Sequence, residues 1–97
     1  MTIVTIINNN VSAVSKTYEQ EVIRAFGGDV PRALRRHPDA FEDACFFWIY
    51  RTSIKNLTSK RLREIEEREK RVRTSLERAG LSNMLIERFF KAAAEHQ

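Results

Sequence analysis

Ninety-seven residues, 42% hydrophobic and 31% charged, fit a single domain with one modest core and argue against global disorder. The formal net charge of +4 permits an acidic or phosphate-bearing partner without demanding one. A single cysteine, Cys45, excludes an internal disulfide and a multi-cysteine metal site, and no apolar run approaches the roughly 18–20 residues that span a bilayer.

Thr2 to Ile7 alternates polar and apolar residues, but a lone strand finds nothing in this chain to pair with. Residues 1–10 therefore read as a tail or short strand, and residues 11–97 as a single α-helical domain. The apolar start has no basic lead and is too short for a signal peptide, so the expected location is cytoplasmic, or host-intracellular for a viral protein. From Val11 the helical period is clear: Val11, Val14, Tyr18, Val22, Ala25 and Phe26 share one face. Gly27-Gly28 stops that helix near residue 26.

Asp29-Val30-Pro31 opens a short helix, with Pro31 tolerated in its first turn. Pro38 disfavours the helical region at His37 and so ends it. The next helix starts at Pro38, where Asp39, Glu42 and Asp43 suit the positive end of its dipole. Phe46, Phe47, Trp48, Ile49 and Tyr50 then wrap more than a full turn, so this helix is expected to be buried nearly all round. A strand over 44–50 competes, because aromatic and β-branched residues favour one.

Asn56 to Ser59 marks a kink or turn. The run from Lys60 to Arg73 is the most informative in the chain, and the helix that carries it is expected to extend to Ala79. Glu64/Arg68, Glu66/Lys70, Glu67/Arg71 and Glu69/Arg73 stand four residues apart with the acid first, the better orientation. At about 0.2–0.5 kcal/mol each, such pairs predict a helix that holds itself in water. Its inner face is Leu62, Ile65, Val72, Leu76 and Ala79, with Glu69 in the gap, which a parallel homodimer seam would tolerate poorly. Gly80 supplies a left-handed stop, and Ser82 or Asn83 caps a last helix whose face is Leu85, Ile86, Phe89, Phe90 and Ala93. The expected fold is all-α, with four or five helices in a compact bundle, one of them long and charged, and the expected state is a homodimer.

Chemistry finds few materials. His37 and His96 are far apart in sequence, no serine or cysteine has a base and orienter beside it, and Gly27-Gly28 is no phosphate loop. No catalytic residue, metal ligand, cofactor or small-molecule substrate is expected. His37-Pro38-Asp39 is also the tripeptide of J-domain co-chaperones. That likeness stops at the tripeptide: only about two helical turns precede His37, where the family has a long basic helix, and no loop separates Asp39 from Phe41. A ribbon-helix-helix regulator is disfavoured because the 2–7 segment lacks base-reading side chains.

Binding remains. Between Arg51 and Arg73 nine bases face four acids, an excess larger than the net charge of the whole chain. Lys60, Arg61, Arg68, Arg71 and Arg78 fall within about 100° of one another on a helical wheel; Arg32, Arg35 and Arg36 add a second basic group. These eight are the candidate contacts to a protein or to nucleic acid. Phe46, Phe47, Trp48, Tyr50, Phe89 and Phe90 are more aromatic bulk than short helices bury easily, and are the candidate dimer or partner anchors. The expected function is a small regulator or adaptor that binds protein, of the kind phage, viruses and mobile elements use. The alternative is a protein that binds the backbone of duplex RNA or DNA through the 51–73 segment, salt-sensitive and blind to sequence. Acids interleaved with the arginines beside an open apolar groove favour protein; an acid-free basic face favours nucleic acid.

Overall fold

A computed structural model describes residues 18–96, which form five helices and, among the described residues, no strand. The first, α1, is helical over 18–25 of the described region. It is followed by α2 (Arg32–Arg35), α3 (Pro38–Ser53), α4 (Ser59–Arg78) and α5 (Asn83–Glu95). The readings of Thr2 to Ile7 as a tail or strand, and of Val11 and Val14 as the start of α1, lie outside the described residues. None of the described helices is long and apolar enough to cross a membrane.

Local chemistry sets the boundaries. α1 and α4 end in the same way: the residue after the cap is a glycine at positive φ, Gly27 at 108° and Gly80 at 93°. In α4 the Gly80 N–H donates to Glu77 O and the Leu81 N–H to Leu76 O; in α1 Gly27 donates to Arg24 O and Gly28 to Ile23 O. Both are Schellman turns, which satisfy the last carbonyls of a helix and turn the chain sharply away. Leu81 then buries itself in the core. Pro38 sits in the first turn of α3, where its missing N–H costs nothing. Thr58 and Ser82 cap α4 and α5, their hydroxyl oxygens accepting from the Arg61 and Leu85 N–H groups. The competing strand over 44–50 does not form. Residues 44–50 lie within α3, which continues to Ser53, and 54–58 make the connection to α4.

Gly80→Val is expected to lower stability by about 1 kcal/mol or more, the scale of strain for a side chain forced into the left-handed region. A Cβ at Gly80 would meet nothing within 4 Å, so the loss isolates backbone strain from packing. The urea midpoint measures it; an unchanged midpoint means that the turn between α4 and α5 does not depend on this conformation.

α3 and α4 form an antiparallel hairpin. Asp43, early in α3, meets Ser75, late in α4, while Tyr50, late in α3, meets Arg68 midway along α4. α5 packs on both helices, and α2 on α3. The core fills the space among them: Val22, Ala25 and Phe26 from α1 and the turn after it, Leu34 from α2, Ala40, Ala44, Phe47 and Trp48 from α3, Ile65, Val72 and Leu76 from α4, and Ile86, Phe89, Phe90 and Ala93 from α5. Phe89 is its centre. Its ring stacks on Phe26 at 4.9 Å, lies 5.9 Å from Trp48, and meets Phe90 edge-on at 5.3 Å.

The expectation that α3 is buried nearly all round is corrected. Phe46 is 62% exposed, and Glu42 and Asp43 beside it are exposed as well. Neighbours cover the Ala40–Ala44–Phe47–Trp48 stripe, while among the described residues the flank that carries Phe46 stays open.

Candidate functional site

The open flank of α3 and the adjoining flank of α4 bound a groove made of two clefts that meet at Asp43 and Arg71. One cleft, about 230 Å³, has Phe47 and Val72 at its base and Phe46, Arg68 and Arg71 around it. The other, about 570 Å³, runs toward the start of α3 between Arg36, His37 and Asp39 on one side and Arg71, Ser75 and Arg78 on the other. The groove thus has an apolar end and a polar end. Along it lie four arginines, Arg36, Arg68, Arg71 and Arg78, against two aspartates, Asp39 and Asp43. None of the four arginines is ion-paired with a described residue. Asp43 is partly satisfied: its Oδ2 accepts from the Ser75 hydroxyl at 2.8 Å, which ties the two walls together.

The structure divides the predicted contact residues. Arg36, Arg68, Arg71 and Arg78 share the groove. Arg61 stands near the other end of the hairpin, beside Tyr50 and Lys55, and is held by Glu64 at 3.1 Å; Lys60 is exposed in the same turn of α4. Arg32 and Arg35 are exposed on α2 and do not line the groove, and Arg35 donates instead to the Val30 carbonyl. The eight basic residues therefore form no single stripe.

The predicted anchors divide too. Phe47, Trp48, Phe89 and Phe90 are core residues of one chain, each at most 5% exposed, and so are corrected from surface anchors to packing residues. The reason is geometric: their rings meet one another across α3 and α5, with Phe47 and Phe90 edge-on at 5.2 Å. Tyr50 is half-buried against the core and under Arg68. Phe46 alone of the six is an exposed aromatic.

The four acid-to-base pairs expected along α4 are not the ion pairs that form. Arg68 lies over the Tyr50 ring at 4.0 Å, and Arg73 pairs with Glu87 of α5 and covers Phe90 at 5.1 Å. Both arginines lie over a ring face, Arg68 over Tyr50 and Arg73 over Phe90, which adds a cation–π attraction that a carboxylate one turn away along α4 does not offer. Glu69, in the gap of the inner face, is half-buried, and burial raises its carboxyl above the ordinary value against the pull of Arg73 and Arg51.

Other titratable groups serve packing. Burial, helped by Glu19 and Glu42, pushes the Cys45 thiol up to about 12, which keeps it protonated and a poor nucleophile. Glu21 Oε1 accepts from Trp48 Nε1 at 2.9 Å and lies 3.1 Å from His96 Nε2, while the His96 ring meets Trp48 edge-on at 5.3 Å. This cluster fastens α1, α3 and the residue after α5 together. His37 stands apart from it, in the polar cleft. Sequence reasoning missed Asp43, Val72 and Ser75 as groove residues, because their grouping arises only from the register of the hairpin.

Comparison with protein-family models, curated proteins and solved structures found no match to this chain.

Proposed function

We propose that this protein is a non-enzymatic, cytoplasmic helical regulator or adaptor that acts by binding another protein through the α3–α4 groove. Phe46 carries the reading. A phenylalanine 62% exposed beside a cleft based on Phe47 and Val72 costs solvation in the free chain, and aromatic side chains flanked by arginine are the usual anchors of protein interfaces. The aromatic argument for a homodimer is weaker than composition suggests, since four of the six candidate rings lie inside one chain. Nucleic acid is the second reading, favoured by the groove arginines, which have no ion partner among the described residues. Asp39 and Asp43 oppose it, because they would face the same phosphates.

Affinity capture from lysate of the source cells, with and without nuclease, tests the proposal. A partner that survives nuclease and is lost with Phe46→Ser, in a variant that keeps its helical content and Tm, is the expected result. Capture abolished by nuclease, or indifferent to Phe46, refutes it.

A further inference from the structure

Resting on that reading, we infer that the groove takes an acidic amphipathic helix, with one apolar side chain in the Phe46 cleft and carboxylates along the Arg71, Arg36 and Arg78 walls. Charge selects the occupant. Four arginines without an ion partner among the described residues face two aspartates, one of which is already engaged by Ser75. Such a surface attracts acidic ligands and repels basic ones, and like-charge juxtaposition is what excludes wrong partners. The same excess makes the groove a poor complement to a second copy of itself.

Shape selects a helix. The walls are two antiparallel helices, and the channel between helices is the seat that a third helix occupies in a bundle. From Arg68 to Ala79 the groove follows α4 for roughly 16 Å, at 1.5 Å rise per residue, or about three turns of a bound helix. The apolar cleft, about 230 Å³, is below the roughly 300–1,000 Å³ of small-molecule sites and suits one leucine- or phenylalanine-sized side chain. Because the apolar cleft is at one end, with Arg71 at the junction and Arg36 and Arg78 beyond it, the ligand has a polarity. Its apolar residue comes first along the groove, with carboxylates three, four and seven positions away on the same face.

The test uses the full chain and three synthetic helical peptides of one length: one with leucine and glutamates in that pattern, one with lysine for each glutamate, and one with serine for the leucine. Fluorescence anisotropy reads binding, and amide chemical shifts of the labelled protein locate it. The expected result is that the leucine–glutamate peptide binds at least about tenfold more tightly than either control, weakens as salt screens the charges, and shifts amides of Phe46 and Arg71. Arg71→Gln and Phe46→Ser should each weaken it about fivefold or more with Tm unchanged. Equal binding of the acidic and basic peptides overturns the inference, as does binding elsewhere on the protein. Sedimentation at twice the chain mass that depends on Phe46 also overturns it, since a second copy then fills the groove. If the acidic peptide fails while capture from lysate still depends on Phe46, the partner chemistry is wrong and the protein-binding function stands; if both fail, both fall.

Discussion

Phe89→Ala is expected to cost about 3–5 kcal/mol, the range for truncating a buried aromatic to alanine. Phe89 is 0% exposed and is the one ring that touches Phe26, Phe47, Trp48 and Phe90 together. Those neighbours come from three different parts of the chain, so a cavity here loosens the contact of α5 with both α3 and the end of α1. A domain of this size has about 5–15 kcal/mol of stability in all, so the loss takes a large share of it. At about 4–8 °C of Tm per kcal/mol, thermal melting followed by circular dichroism should show a fall of at least about 12 °C. Phe89→Leu, which leaves a smaller void, should fall less. A shift of only a degree or two would mean that the rings do not form a packed core around position 89.

The features legible in the sequence are those set by local chemistry. The glycine stops after α1 and α4, Pro38 at the start of α3 and Ser82 ahead of α5 each act through their immediate neighbours, and a reading of single residues finds them. The helical face of α5 is legible for the same reason: of Leu85, Ile86, Phe89, Phe90 and Ala93, which repeat at the helical period, all are buried but Leu85, which is half-buried. The destinations of the arginines are not. Spacing along α4 offers Arg68 to Glu64 and Arg73 to Glu69, and nothing in that segment says that Tyr50 and Phe90 will present ring faces, or that Glu87 will stand across the interface. Those partners are set by how the hairpin and α5 pack.

The groove is a mixed case. Its arginines are candidates in the sequence, but within a stripe of five basic residues on α4 and a second group before α3; only Arg68, Arg71 and Arg78 of the first and Arg36 of the second reach the groove. Its aromatic residue was hidden in a block of six. A signal did exist for singling it out: Phe46 follows Glu42 by four residues and Asp43 by three, which puts it on the acidic side of α3, whereas Phe47 follows Ala40 and Ala44 on the small-residue side. Weighing the block by its bulk alone conceals that difference.

The same offset makes neighbouring phenylalanines opposite in effect. Phe47→Ala is expected to destabilise by about 3–5 kcal/mol, while Phe46→Ala should stay within about 0.5 kcal/mol of the parent chain. Phe47 is 4% exposed and meets Phe90 edge-on, Phe89 at 6.2 Å and Tyr50 at 6.4 Å, so its removal opens a void between α3 and α5. Phe46, 62% exposed, keeps most of its surface in water in the folded chain and gives up little when truncated. Urea denaturation of the two variants side by side measures the contrast, and similar midpoints would place α3 in a different rotation from the one described. The pair also separates folding from binding. A residue that contributes almost nothing to stability yet is needed to hold a partner is a recognition residue, so loss of capture in Phe46→Ala with its midpoint intact would assign that role to the exposed ring and leave Phe47 to the core.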